Sequence, residues 1–202
     1  GGLVVVFAAG LPWRYVLGTV VSVVAAVPVL WIHLHAYQKS RVMTFLNPEL
    51  DVLGAGYQIT QSKIALGSGG LSGKGFLEGT QSYLQYLPEK QTDFIFTLIG
   101  EEFGFIGSIF IIFLFFLVIS VCFYISIKSI HVFGRILSIG VGTNIFIYVI
   151  MNISMVSGLM PVVGIPLPLV SYGGSAMLSI MISIGLVLNM ELNGNIKKLD
   201  DA

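Results

Sequence analysis

Four long runs without Asp, Glu, Lys or Arg set the strongest limit on what this chain can fold into. The runs cover 15–37, 103–127, 136–156 and 171–190, and the apolar segment 1–9 resembles the end of a fifth. The hydrocarbon core of a bilayer, about 30 Å thick, is crossed by roughly 20 apolar residues in a helix. Lipid offers no partners to an open backbone, so such runs cross it as helices. We therefore predict an all-α, polytopic helical membrane protein with about four complete transmembrane helices plus a partial one.

The composition also favours a membrane location. Hydrophobic residues make up 55% of the chain and charged residues only 10%, a balance that soluble domains of this length do not have. The 10 basic and 10 acidic residues cancel, and the sequence has no basic stripe with interleaved aromatic residues. This charge pattern argues against a nucleic-acid partner.

Basic residues indicate how the spans are oriented. In the short segments they occur in three places that share one side of the membrane if the spans alternate, namely Arg14, the loop 128–135, and the tail with Lys197 and Lys198. Short loops rich in Lys and Arg face the cytoplasm. We therefore predict a cytoplasmic C-terminus and two extracytoplasmic segments, a large loop over 38–92 and a second loop over 158–175.

The second of these loops is unusually apolar for a connection. Its sequence, GLMPVVGIPLPLVSYGGS, contains three prolines and four glycines among apolar residues, so it cannot form a regular span. Irregular backbone near a membrane is tolerated where it is buried in protein or lines a cavity. We expect a partly inserted loop that walls a cavity, with Tyr172 and Ser175 as polar contacts.

A glycine-rich stretch over 67–76, GSGGLSGKGF, invites comparison with a nucleotide-binding P-loop. That motif needs a glycine where Ser68 stands and a Ser or Thr where Gly75 stands. Both positions fail, which excludes the motif. We predict instead a short helix over 58–66 followed by a tight glycine turn, with Lys74 left as a candidate phosphate contact.

The large loop carries five basic residues, Lys39, Arg41, Lys63, Lys74 and Lys90. Solvated loop charges are one interpretation. The other is a cluster that grips a diphosphate, in which arginine suits bidentate contact and lysine acts as a point charge. The spacing of these residues favours the first interpretation.

Asp93 lies at the start of the second complete span, in LPEKQTDF. One interpretation is structural, because Thr92 suits an N-cap and a carboxylate in the first helical turn is favoured by the helix dipole. The other is chemical, with Asp93 as a general base that takes a proton from a substrate hydroxyl. The large loop has no histidine, which leaves carboxylates as the candidates for that role.

Glu101 and Glu102 are two further carboxylates, which lie after Asp93 in the sequence and deeper along the same predicted helix. Carboxylates at that depth are costly unless they face protein, pair with a cation or line a watery cavity. Either the helix begins later and both are interfacial, or one lines a cavity. Glu102 is the candidate for the cavity.

Two blocks of sequence together resemble a known family. They are GAGYQITQSKIALGSGGLSGKGFLEGTQSYLQYLPEKQTDFIFTLIGEEFGFIG and MVSGLMPVVGIPLPLVSYGGS, and they closely resemble the SEDS family of shape, elongation, division and sporulation proteins, in its RodA-type elongation branch. The resemblance covers essentially the whole chain. It implies the ten-span SEDS fold, with 1–202 as the C-terminal part of a single transmembrane domain in the bacterial cytoplasmic (inner) membrane.

The resemblance also implies an activity, that of an inverting peptidoglycan glycosyltransferase that polymerises lipid II and releases undecaprenyl diphosphate. The essential aspartate of the family's TDF motif corresponds to Asp93, as general base. Arg41, Gln58, Lys63 and Lys74 stand in matching motif positions, which implies contacts with the substrate.

The resemblance further implies a class B penicillin-binding protein and other elongation-machinery proteins as partners. It implies no organic cofactor but support from a divalent cation such as Mg²⁺, for which the sequence shows no ligand set. Two other functions suit the same bundle, a lipid II flippase and a non-catalytic scaffold for the penicillin-binding protein.

Overall fold

The structure is a computed structural model, and it describes residues 2–10, 12–47, 54–80, 91–129 and 131–200, with the backbone alone for Ala55 and 193–200. Every regular element within these ranges is an α-helix. The all-α prediction is therefore confirmed. Lys90 and the stretches 48–53 and 81–90 of the large loop lie outside the described residues.

Seven helices follow one another along the described chain: α1 (Gly2–Ala8), α2 (Trp13–His33), α3 (Ala36–Leu46), α4 (Ala55–Ser68), α5 (Ile95–Lys128), α6 (Val132–Val156) and α7 (Gly174–Asp200). Four helical stretches are long and apolar enough to cross a membrane, namely α2, α5, α6 and Gly174–Leu192 of α7. The predicted number of spans is confirmed.

The first span ends earlier than predicted. α2 stops at His33, and the predicted end at Tyr37 belongs to α3. The chain leaves α2 because His35 caps the next helix, where its backbone N–H donates to Gln38 Oε1 at 3.1 Å. The large loop thus contains most of α3 and all of α4.

The chain divides into two compact units. The first consists of Gly1–Leu34, Phe116–Ile147 and Leu178–Ala202. Cys122 and Ile125 of α5 form its buried core with Val187 of α7, and Leu137 and Val141 of α6 pack against them. The lone cysteine therefore serves as a core residue.

The second unit consists of His35–Phe115 and Tyr148–Met177. α4 turns a face of Ile59, Ser62 and Ala65 inward, and all three are buried. The Ser62 hydroxyl donates to Val156 O at 2.8 Å and accepts from the Thr97 hydroxyl at 2.7 Å. This buried hydroxyl joins α4 to the start of α5 and the end of α6. The helix predicted over 58–66 is confirmed, although it runs from Ala55 to Ser68.

α5 is interrupted at Gly104, whose backbone angles of φ 66° and ψ −159° are not helical. The glycine-rich stretch lies in this interruption. Four backbone hydrogen bonds of 2.9 to 3.2 Å join them: Lys74 N to Glu101 O, Gly75 N to Glu102 O, Phe105 N to Gly70 O, and Ile106 N to Leu71 O. The interruption leaves helix-end groups without intrahelical partners, and the stretch supplies them.

Replacing Gly104 by alanine is expected to break this arrangement. A Cβ at that position would lie 2.7 Å from Leu71 O and would also meet Gly73 N. The positive φ adds strain of about 1–3 kcal/mol. Gly104→Ala should therefore lower the thermal unfolding midpoint of the full-length protein in detergent.

Gly67→Ala is the matched control for this change. Gly67 lies in α4, and a Cβ there would have nothing within 4 Å. Alanine favours a helix over glycine by about 1 kcal/mol, so the control should unfold no earlier than wild type. Equal midpoints for the two variants would contradict the close packing at Gly104.

Candidate active site

The chain between α6 and α7, residues 157–173, is the scaffold of the candidate site, and we call it the proline-rich loop. α6 ends in a Schellman motif, in which Gly158 N donates to Met155 O at 3.0 Å and Leu159 N to Ser154 O at 2.8 Å. Gly158 has a φ of +71°, which glycine adopts without steric cost. The sharp end of the helix turns the chain directly into the loop.

Two of the predicted cations contact the proline-rich loop. The Lys63 side chain, from α4, lies against Gly158, where a Cβ would be 2.7 Å from Nζ. The Arg41 guanidinium, from α3, donates to Val162 O at 3.0 Å. Two separate helices of the large loop therefore bring positive charge to one short segment, although both cations remain exposed.

The predicted carboxylate contacts the same loop. Asp93 Oδ2 lies 3.1 Å from the position that a Cβ on Gly164 would occupy. Gly164 has a φ of +74° and is exposed. The absence of a side chain at 164 thus lets the loop backbone pack closely against a half-buried carboxylate. One loop gathers Asp93 with Lys63 and Arg41.

Asp93 does not lie in the first turn of α5, so the structural interpretation of Asp93 as a carboxylate of that turn was wrong. The residues 91–94 form a turn, and α5 begins at Ile95, with Phe94 O accepting the first helical hydrogen bonds. The reason is that tertiary partners take the carbonyls of Thr92 and Asp93. Thr92 therefore does not cap the helix.

Hydrogen bonds from α6 and from the proline-rich loop hold this turn in place. The Asn152 amide of α6 donates to Asp93 O at 2.8 Å, and the Ser171 hydroxyl donates to Thr92 O at 2.5 Å. The backbone N–H of Tyr172 donates to Gln91 O at 2.9 Å. Sequence reasoning did not single out Asn152 or Ser171. The available signal for Asn152 was an amide in an apolar span, where polar residues face protein or a cavity.

Lys74 has a different place from the other two cations. Its Nζ donates to Glu101 Oε1 at 2.8 Å and to Thr80 Oγ1 at 2.7 Å. Glu101 is fully buried, and the Lys74 side chain is 26% exposed. The ammonium that the sequence offered to a diphosphate is therefore engaged within the protein, and its contact with substrate stays a prediction.

Glu101, and not Glu102, is the carboxylate of this ion pair. Both side chains are buried, at 0% and 5% exposure, and both precede the interruption of α5 at Gly104. The alternative in which the helix begins only after both residues is therefore wrong, because α5 begins at Ile95. A role for Glu102 toward substrate stays a prediction.

Three other residues with predicted substrate contacts are Tyr172, Ser175 and Gln58. The Tyr172 side chain is 81% exposed, and its backbone rather than its phenol contacts the turn. Ser175 is exposed in the first turn of α7, and Gln58 is half-buried in α4. The substrate contacts predicted for these residues stay predictions.

A metal site made of protein ligands alone is not formed by the described residues. Among them, no group of three or more His, Cys, Asp or Glu side chains could hold an ion. The expected divalent cation therefore has no ligand set in this part of the chain.

Comparison with known proteins finds a matching family and several similar bacterial proteins. The model of the FtsW, RodA and SpoVE family, described as cell cycle proteins, matches residues 1–195. Peptidoglycan glycosyltransferase MrdB of Escherichia coli (strain K12) is 52% identical over 190 residues, covering 94% of this chain and 51% of that protein. Peptidoglycan glycosyltransferase RodA of Treponema pallidum is 43% identical over 162 residues, covering 78% and 36%.

A solved structure shares the architecture. It is a chain of a peptidoglycan synthase complex that coordinates polymerization and crosslinking. The TM-score is 0.77 at 30% identity, covering 94% of this chain and 52% of that one. The chain spans about half the length of MrdB and of this structural neighbour.

The ion pair should support stability more than any contact of the exposed Lys63. Lys74→Met removes the cation that neutralises the buried Glu101 carboxylate, which is expected to lower the free energy of unfolding by about 3 kcal/mol. Glu101→Gln should cost less, about 1 kcal/mol, because the partly exposed ammonium still reaches water. Thermal unfolding of the full-length protein measures both.

Lys63→Met is the matched control, since Lys63 is an exposed lysine of the same unit. Its unfolding midpoint should stay at the wild-type value. Equal losses for Lys63→Met and Lys74→Met would contradict the structural role of the Lys74–Glu101 pair.

Proposed function

This chain belongs to the FtsW, RodA and SpoVE family of cell cycle proteins, as a RodA-type member, and on that basis we propose that the whole protein is a peptidoglycan glycosyltransferase that polymerises lipid II into glycan strands. Relatives that match most of the chain bear the name peptidoglycan glycosyltransferase. The observation that carries the proposal is the proline-rich loop, which contacts one carboxylate and two cations from three separate parts of the fold.

Asp93 acts as the general base in this reaction. It takes the proton from the 4-hydroxyl of the GlcNAc unit of lipid II as the hydroxyl oxygen bonds to the anomeric carbon of the growing strand. The bond from that carbon to the diphosphate breaks, undecaprenyl diphosphate leaves with the electron pair, and the anomeric configuration inverts. This role is supported by the place of the half-buried carboxylate beside the exposed Gly164 of the proline-rich loop, and a general base must come within hydrogen-bond distance of the hydroxyl.

Arg41 and Lys63 complement the leaving diphosphate. Negative charge grows on that group as the glycosidic bond breaks, and fixed cations stabilise it there. One guanidinium N–H of Arg41 bonds Val162 O, and a guanidinium has five N–H donors in all. Anchoring on the loop therefore orients the exposed guanidinium and leaves other N–H donors for the diphosphate.

The chain is part of a multi-pass membrane protein. We assign it to the bacterial cytoplasmic membrane, with the C-terminus in the cytoplasm and the site outside, because its basic segments share one side. A divalent cation such as Mg²⁺ would arrive with the diphosphate, since it is commonly bound by substrate phosphates and one or two carboxylates.

A class B penicillin-binding protein and other elongation proteins are the proposed partners. The support is the structural neighbour, a chain of a synthase complex in which polymerization and crosslinking are coordinated. A transpeptidase would crosslink the strands that this protein makes. Both a polymerase and a non-catalytic scaffold would bind such partners. A measurement of polymer formation is therefore needed to distinguish the two functions.

Asp93→Asn tests the proposal. The full-length variant, given purified lipid II, should lose polymer formation by at least about 100-fold, because the amide cannot accept the proton. It should still bind the penicillin-binding protein. Glu78→Gln, at an exposed carboxylate of the same unit, is the matched control and should polymerise at the wild-type rate.

Each alternative function has its own outcome in this experiment. Glycan strands formed at the wild-type rate by Asp93→Asn would refute the catalytic assignment. A flippase would move labelled lipid II between vesicle leaflets without making polymer. A scaffold would support cell growth with Asn at position 93.

Loss of either loop-bound cation should weaken the reaction without unfolding the protein. Arg41→Met and Lys63→Met are each expected to lower kcat/KM for lipid II about 10-fold, the effect of losing one charge-assisted hydrogen bond. Lys128→Met, at an exposed lysine that ends α5, serves as control. Unchanged kcat/KM in both test variants would refute the proposed contact of Arg41 and Lys63 with the diphosphate.

A further inference from the structure

We propose that Asn152 is a positioning residue that holds Asp93 against the proline-rich loop, an inference that rests on the proposed function. Asn152 lies in α6 and is fully buried. Its side chain reaches neither substrate nor reacting atoms in this scheme. It acts through the backbone on which the catalytic carboxylate is carried.

The amide joins the two segments that meet at the carboxylate. Its Nδ2 donates to Asp93 O at 2.8 Å and to Ile165 O at 2.7 Å. Ile165 directly follows Gly164, the residue that Asp93 Oδ2 faces. A single nitrogen therefore fixes the backbone on both sides of the contact between the carboxylate and the glycine.

The chemistry at this position requires a primary amide. One atom donates to two carbonyl oxygens, so that atom must carry two hydrogens. A primary amide nitrogen carries two, whereas a hydroxyl oxygen carries one. Aspartate would place a carboxylate against the two carbonyls. Leucine has a similar size but no donor.

The amide oxygen of Asn152, Oδ1, is buried and lacks a hydrogen bond from the described residues in this geometry. An unsatisfied buried oxygen is unfavourable, and such groups in folded proteins call for an explanation. Here the two donated bonds supply it.

The loss of Asn152 should loosen Asp93 without releasing the whole turn. Ser171 and Tyr172 still donate to the neighbouring carbonyls of Thr92 and Gln91, so the turn becomes more mobile but stays attached to the proline-rich loop. A displaced carboxylate reacts more slowly but leaves the diphosphate contacts intact. The expected signature is a fall in kcat with little change in KM.

The test uses the full-length protein with three variants and purified lipid II. Asn152→Leu removes both donors, Asn152→Gln retains them on a longer side chain, and Thr143→Val is the control. Thr143 lies in the same helix, is 5% exposed, and its hydroxyl has no partner among the described residues. Thr143→Val thus removes a buried polar group that ties nothing together.

Asn152→Leu should lower kcat about 100-fold, as expected when a reacting group is misplaced by about 1 Å, with KM within about twofold of Thr143→Val. Asn152→Gln should recover part of kcat. Hydrogen exchange of the Tyr172 amide, which is bonded to Gln91 O two residues before Asp93, should become faster in Asn152→Leu because the turn that it holds is more mobile, and should stay unchanged in Thr143→Val.

Two results would overturn the positioning role. One is a kcat for Asn152→Leu within twofold of the control. The other is a loss of activity that follows the loss of thermal stability and returns on cooling, which is a purely structural effect. A wild-type protein that makes no polymer would instead refute the proposed function, and exchange at Tyr172 would still decide whether Asn152 holds the turn.

Discussion

The need to pair backbone N–H and C=O groups wherever the chain leaves a helix shapes the second compact unit. Within an apolar bundle water cannot serve as the partner, so each irregular segment must be matched by another one. The glycine-rich stretch forms hydrogen bonds with the backbone at the interruption of α5 around Gly104. The proline-rich loop and Asn152 of α6 donate hydrogen bonds to the backbone of the turn 91–94. The candidate site lies at the second of these two matches.

This constraint explains why glycine occupies the points of contact. At Gly104 two backbones approach closely enough to leave no space for a Cβ. At Gly158 and Gly164 the positive φ and the nearness of Lys63 and Asp93 act together. The glycines that resembled a nucleotide loop in the sequence thus belong to a close approach of two backbones.

Burial separates three cations of the large loop into two groups. Lys74 neutralises Glu101, which is inaccessible to water, so its charge contributes to the integrity of the interrupted helix. Arg41 and Lys63 contact a backbone carbonyl and a glycine of the proline-rich loop while staying exposed. A ligand of opposite charge can therefore reach these two. Position along the chain does not distinguish them, because all three lie in one loop.

The sequence by itself determined the four spans and the helix near 58–66, because apolar periodicity and length are local properties. It identified Asp93 only through resemblance to a family, since a carboxylate before a helix also suits a cap. Which residues hold that carboxylate was decided by the tertiary structure. Asn152 and Ser171 are 59 and 79 residues away from their acceptors in the chain, and only folding brings such donors to Asp93 and Thr92.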